Sequence, residues 1–287
     1  MLRAHKARSG TALGGIGTGG CELRKDGLFV NWNAFNNKPL FTGPELEIDQ
    51  THLLFFVVRY QVEGQTPKMK ILQIDEGHDV GAIPTHIYEF PWLTGVDRID
   101  YQASYPFARL RFSDAEMPFD IELVAWHPFI PHNAKDSGLP GFYADFTLTA
   151  KTSQKVDVLL TASWRSCAGY AVEDKYHKID TRREPSGLLA TLRAEGMEAN
   201  ESSNGTQTLL SVGKQSTYYV GWEHRHPYYE IFLRSTKLPD INDTEGRNNK
   251  DPKTGKKKGG DRNWATVGRD ARFTKKGKSF EPSFVVA

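Results

Sequence analysis

Short runs rich in β-branched and aromatic residues recur along this 287-residue chain, each closed by turn residues, with no helical periodicity of comparable strength between them. His52 to Val62 ends at Glu63-Gly64, and Lys68 to Ile74 stops at Asp75-Glu76-Gly77. Tyr105 to Phe112 is followed by Phe119 to Trp126, which Pro128 and Pro131 close. Phe142 to Ala150 alternates apolar and polar residues, the pattern of a half-buried strand. Val156 to Trp164, Gly187 to Arg193, Gln207 to Val212, Thr217 to Trp222, Tyr229 to Leu233 and Phe280 to Ala287 extend the series. About a dozen short strands at regular spacing argue for an all-β fold, a large antiparallel β-sandwich of two facing sheets. All-β units often run to roughly 250 residues, so one domain over residues 1–287 is expected.

Composition narrows the function classes. Lys+Arg of 37 against Asp+Glu of 35 gives a net charge of +2, with no global field to attract nucleic acid. The densest apolar run, Leu53 to Val58, falls far short of the ~18 residues that a membrane span needs. Two cysteines, Cys21 and Cys167, exclude a disulfide scaffold and a four-thiolate zinc site. Two reduced thiols are expected, although one disulfide between them stays open. The first ten residues carry charges but no apolar stretch, which is not a signal peptide, so the cytoplasm is expected if the chain is complete. From Pro239 to Arg262 the chain is almost wholly polar and cannot offset its ordering entropy by burial, so a mobile surface loop is expected at 239–262.

Motifs that suggest chemistry weaken in context. Gly15-Ile-Gly17-Thr-Gly19-Gly20 fits a dinucleotide fingerprint in form, but that fingerprint needs a strand before it and a helix after it. A charged hairpin with Asp26-Gly27 at its turn comes next instead of a helix, and the glycines are better read as allowing close approach to another surface. Asp120 and Glu122 lie two apart on one strand, roughly 6.5–7 Å from each other, near the spacing of glycosidase carboxylate pairs. With Phe119, Ile121 and Leu123 on the other face, they read as the solvated side of a half-buried strand. His224 and His226 would share a face in a strand, but no third ligand is identifiable. Ser166-Cys167 matches no nucleophile elbow. No metal or cofactor is expected, and no catalytic residue is assigned.

A resemblance adds what composition cannot. Leu13-Gly-Gly-Ile-Gly-Thr-Gly19, followed by Asp26-Gly-Leu-Phe-Val-Asn31-Trp-Asn-Ala-Phe-Asn36-Asn37, resembles the opening of glycoside hydrolase family 116. A second block is more specific: Tyr105 to Phe112, Met117 to Pro131 and Asp136 through Leu139-Pro140 to Thr149. The resemblance is good over Leu13 to Trp164 and loose beyond. That family includes β-glucosidases and the non-lysosomal glucosylceramidase. Its N-terminal β-sandwich packs on an (α/α)6 barrel, and the barrel holds the catalytic Glu and Asp. Neither the barrel nor its catalytic pair has a counterpart in this chain.

The resemblance therefore implies a non-catalytic N-terminal domain of a β-glucosidase/glucosylceramidase-type hydrolase. Such a domain would support the catalytic barrel, its partner, and rim its sugar pocket, meeting the glycoside substrate through that partner. The alternative is a stand-alone carbohydrate-binding or accessory subunit pairing with a separately encoded catalytic chain, and a purely structural sandwich is the third reading. Gly15, Gly17, Asn31, Trp32, Asn36 and Asn37 are the candidate interface or sugar-facing residues. Gly and Asn are uncommon in strands, so irregular backbone is expected there, with an exposed apolar patch around Trp32 and Phe35.

Overall fold

The computed structural model describes residues 10–34, 38–39, 53–74, 93–169, 176–222, 225–244 and 263–287. The described residues form three sheets. The smallest is a meander of β1 (Thr11–Gly15), β2 (Gly19–Leu23), β3 (Phe29–Ala34) and β4 (Lys38–Pro39). A seven-stranded sheet is built from β5 (Leu54–Val62), β6 (Lys68–Ile71), β7 (Leu93–Thr94), β12 (Val156–Arg165), β16 (Ser216–Trp222), β17 (Ile241–Asn242) and β18 (Trp264–Phe273). Its spatial order is β17-β16-β18-β12-β5-β6-β7.

The nine-stranded sheet contains β8 (Arg98–Ser104), β9 (Phe107–Ser113), β10 (Phe119–Trp126), β11 (Phe142–Ala150), β13 (Tyr176–Glu184), β14 (Gly187–Glu195), β15 (Thr206–Val212) and β20 (Ser283–Val286). They run β13-β14-β15-β20-β11-β10-β9-β8, and β19 (Ser279–Phe280) pairs with β11 beside this path. Among the described pairs only β6–β7 and β16–β17, both short and at the sheet edge, are parallel. The all-β sandwich expected from the sequence is therefore the fold.

The two large sheets face each other across one core. Along β10 and β11 the side chains alternate, with Phe119, Ile121, Leu123 and Phe142, Ala144, Phe146, Leu148 buried. Rings cross the layer: Phe56 of β5 meets Phe146 of β11 edge-on at 4.8 Å, and Tyr60 meets Phe119 at 5.5 Å and 90°. Such edge-to-face pairs add ~0.5–1.5 kcal/mol beyond their area burial. The small sheet contributes Leu13, Cys21, Leu23, Phe29 and Trp32 to the same core.

β5 and β12 are buried along nearly their whole length rather than alternately. The reason lies on the far side of their sheet, where helix α2 (Arg225–Arg234; the short α1 is Ala134–Ser137) covers a second apolar cluster. Phe55, Val57, Leu159, Trp222 and Trp264 meet Tyr229 and Phe232 there.

That helix corrects the sequence reading, which takes Tyr229 to Leu233 as a strand. Tyr229 and Phe232 stand three apart, a helical spacing, and both are buried on the sheet. Pro227 falls in the first turn, where no backbone donor is needed. Glu230 and Arg234 add an i,i+4 pair at 3.8 Å. His226 therefore sits in a helix, and His224 lies outside the described residues.

The long strands β8, β13 and β18 escape the sequence reading, as do β1 and the two-residue β4, β7 and β17. β18 occupies the interior of its sheet between β16 and β12 with Trp264, Ala265, Val267 and Phe273 buried, but Gly268, Arg269, Asp270 and Arg272 interrupt the apolar pattern. The expected polar loop at 239–262 is corrected at its start. Asp240 donates its N–H to Tyr218 O at 2.9 Å, Asp243 donates to Val220 O at 2.9 Å, and Asn242 Nδ2 donates to Ile179 O at 2.7 Å. Residues 245–262 lie outside the described residues.

Candidate functional site: an apolar end face

The most unusual surface of the domain forms where the β1–β2 hairpin meets the loop between β10 and β11. The glycines that suggested irregular backbone are in fact paired in a ladder, Gly14 opposite Gly20 and Gly15 opposite Gly19. Close approach is what they provide. A Cβ on Gly15 would lie 2.5 Å from Leu139 O and 2.8 Å from Gly138 C, so only glycine lets the hairpin dock on the loop. The dock is held by Ile16 N–H donating to Ser137 O at 2.9 Å. Gly17 turns the hairpin tip with φ +73°, with open space where a side chain would be.

The receiving loop is held in shape from inside. Ser137 is buried, accepts from Ile130 N at 2.9 Å through Oγ, and donates back to Ile130 O at 3.1 Å. Asn133 caps α1 by accepting from Asp136 N at 3.1 Å, while its Nδ2 donates to Asp136 Oδ2 at 2.7 Å. This rigid frame presents apolar side chains to solvent. Among the described residues seven large hydrophobic side chains are exposed, and six belong to this end: Ile16, Tyr105, Phe107, Phe129, Ile130 and Leu139. Only Ile241 lies elsewhere.

Aromatic contacts knit that end together. Tyr105 meets Phe129 and His127, each at 5.2 Å and edge-on. Phe107, Trp126 and Tyr143, on three adjacent strands, form a stack with Trp126–Tyr143 at 4.4 Å and 12°. Trp126 Nε1 donates to Asp145 Oδ2 at 2.7 Å. His127 is buried beneath the patch, with Nε2 3.2 Å from Tyr105 Oη, and burial pushes its pKa below the ordinary imidazole value. An exposed apolar cluster on a braced loop is the signature of a contact surface.

The structure distributes the sequence-derived candidates unevenly. Gly15 and Gly17 belong to the docked hairpin beside this face. Asn31 is exposed and adopts φ +53°, at a register shift between β2 and β3, so irregular backbone is found here. Trp32 is a correction. It is only 5% exposed, its Nε1 donates to Phe29 O at 3.0 Å, and its ring meets Trp164 at 5.8 Å. The exposed patch expected around it is not found, because β3 turns Trp32 into the core rather than out of it. Asn36 and Asn37, with Phe35, lie outside the described residues.

The residues of the actual patch stand in the very block that carries the resemblance, Pro128-Phe-Ile-Pro131 and Leu139-Pro140. Apolar side chains wedged between prolines in a loop were a usable signal. They have no ladder to join, and burial is not available to all of them.

A family model described as beta-glucosidase 2, glycosyl-hydrolase family 116 N-term, matches residues 10–279. The chain belongs to this family. No curated protein matches it closely enough to be named as a relative.

In this family 116 N-terminal domain the strand carboxylates are ion-pair partners. Glu122 Oε2 accepts from Arg111 Nε at 2.8 Å, Arg109 Nε lies 3.4 Å from Oε1, and Lys151 Nζ lies 3.6 Å from Asp120 Oδ1. All are exposed or half-exposed, so these are solvent-screened surface pairs of little weight. The buried charges are structural as well: Lys70 Nζ sits 2.9 Å from Asp114 Oδ2 and 3.4 Å from Glu116 Oε2. Both cysteines of the family 116 domain are buried free thiols. Burial pushes the Cys167 thiol up to about 12 and raises that of Cys21 well above its usual value, so neither is a nucleophile at neutral pH. Among the described residues no three His, Cys, Asp or Glu side chains gather into a metal-binding group, and no helix is long and apolar enough to cross a membrane.

Proposed function

We propose that this chain is the non-catalytic N-terminal domain of a β-glucosidase/glucosylceramidase-type hydrolase, and that its apolar end face packs against the catalytic domain near the sugar pocket. The concentration of six exposed apolar side chains on one braced end carries this reading. Scattered single hydrophobics are ordinary on a monomer, whereas a contiguous cluster is better accounted for by a partner. The hairpin tip with Gly15 and Gly17 forms one border of that face, so these two candidates keep an interface role. Trp32 acts from below, by fixing β3. Partner and substrate come from the family: a catalytic (α/α)6 domain, and a glycoside bound through it.

The test supplies a family 116 catalytic domain in trans. Ile130→Asp and Leu139→Asp should leave the melting temperature of this chain unchanged and weaken association at least tenfold. Undiminished association would overturn the reading. The purified chain alone should not hydrolyse an aryl β-glucoside. Turnover that is lost on Asp120→Asn or Glu122→Gln would refute the non-catalytic assignment.

A further inference from the structure

His127 lies beneath the apolar end face and is 2% exposed. Its Nε2 is 3.2 Å from Tyr105 Oη, and its Nδ1, also buried, finds no partner. Tyr105 meets the imidazole edge-on at 5.2 Å and meets Phe129 in the same way. Tyr105 and Phe129 are themselves 53% and 41% exposed. The cover over this imidazole is therefore part of the docking face itself.

In the neutral ring, the tautomer that leaves least unmet carries its proton on Nε2, donates it to Tyr105 Oη and keeps only a lone pair at Nδ1. A second proton would sit on Nδ1. It would add a buried N–H without an acceptor and a buried charge without a counter-ion. The ionisable groups on the neighbouring elements do not supply one. Asp145 on β11 accepts from Trp126, Asp136 on α1 is bonded to Asn133, and Glu122 on β10 is paired with Arg109 and Arg111 of β9. Lys135 and His132, both exposed, would oppose a cation rather than receive it. Burial is accordingly the cause that lowers the pKa of His127. An imidazolium here is relieved only by water, and Tyr105, seated against Phe129, stands between the ring and water.

We propose that His127 is a proton-operated latch of the end face: neutral, it seats Tyr105 against Phe129, and protonated, it leaves its site and undoes that arrangement, so that the catalytic domain is released in acid. The proposal rests on the docking reading above and adds its regulation. Linkage fixes the sign. A partner that needs the seated face binds the neutral form, so association is complete above the midpoint of His127 and falls below it, by up to about tenfold per pH unit for one coupled proton.

NMR of the chain alone, from pH 7.5 to 4.5, tests the latch without a partner. The Tyr105 ring signals should shift with the same midpoint as His127, below the ordinary ~6.5, while those of the core residue Leu123 stay in place. The Tyr105 step should vanish in His127→Gln and persist in His132→Gln, the exposed histidine of the same loop. His127→Leu, apolar and unable to ionise, carries the test if His127→Gln does not fold. A His127 titration that leaves Tyr105 unmoved, or a Tyr105 step that survives in the folded His127 variant, would overturn the latch. Association with a family 116 catalytic domain in trans should weaken between pH 7 and pH 5 in the wild type, and less in the His127 variant. Equal pH dependence in the two would also overturn it. Absence of association at any pH would refute the docking reading instead, and the Tyr105 titration would still decide the latch.

Discussion

Trp32→Ala separates a side chain that builds this domain from one that serves only a partner. The indole is 5% exposed. Burying a Trp removes about 150–250 Å² from water, which at ~25 cal/mol per Å² gives ~4–6 kcal/mol as a ceiling. Alanine retains part of that burial, and measured Trp→Ala core losses centre on ~3–5 kcal/mol. The substitution also leaves Phe29 O without the indole donor it accepts from at 3.0 Å, worth ~1 kcal/mol. Against this, a 280 Å³ cavity beside Trp32 gives water a route to the new void and limits the penalty. A loss of ~3–4 kcal/mol is expected, read as a fall in the urea midpoint with an unchanged slope. Trp32→Phe, which keeps a ring in the core, should lose less than half of that. A loss below ~1 kcal/mol for Trp32→Ala would refute the reasoning, since it would mean that β3 does not anchor in the core.

Gly15→Val should destabilise by ~2 kcal/mol or more, because its Cβ would meet Leu139 O at 2.5 Å and force the hairpin off the loop. Faster hydrogen exchange at Ile16, whose N–H is bonded to Ser137 O, checks it, and wild-type protection there would contradict it. His127 has a folded-state pKa depressed by burial. Its stability contribution is therefore complete above the ordinary imidazole pKa of ~6.5 and is lost as pH falls toward the lower folded value. The fall in melting temperature between pH 7 and pH 5 should be smaller in His127→Gln than in the wild type, and identical pH profiles would count against the assignment.

Much of the architecture was legible in one dimension. The alternation in Phe119–Trp126 and Phe142–Ala150 specifies which face of each strand is buried, because side chains on a pleated strand point to opposite sides. The turn residues set the strand boundaries, and the near-balanced charge and the two cysteines removed whole classes of function. The docking glycines were legible as markers of close approach, although not the element that approaches.

Other features were settled only in three dimensions. Tyr229–Leu233 has strand-forming residues, and it is helical because Tyr229 and Phe232 must reach one apolar sheet face together. β18 reads as polar from Gly268 to Arg272 and is interior, because β12 and β16 supply backbone partners on both sides while Trp264, Val267 and Phe273 reach the two cores. Trp32 reads as a surface aromatic among asparagines and is core, since the bulge at Asn31 fixes which way the following residue points. The exposed end face depends on three segments distant in sequence, at Ile16, Tyr105–Phe107 and Phe129–Leu139, meeting at one place. A local pattern can assign a side chain to one side of its own strand. Whether that side is later covered depends on contacts between segments, and those exist only after the sheets have assembled.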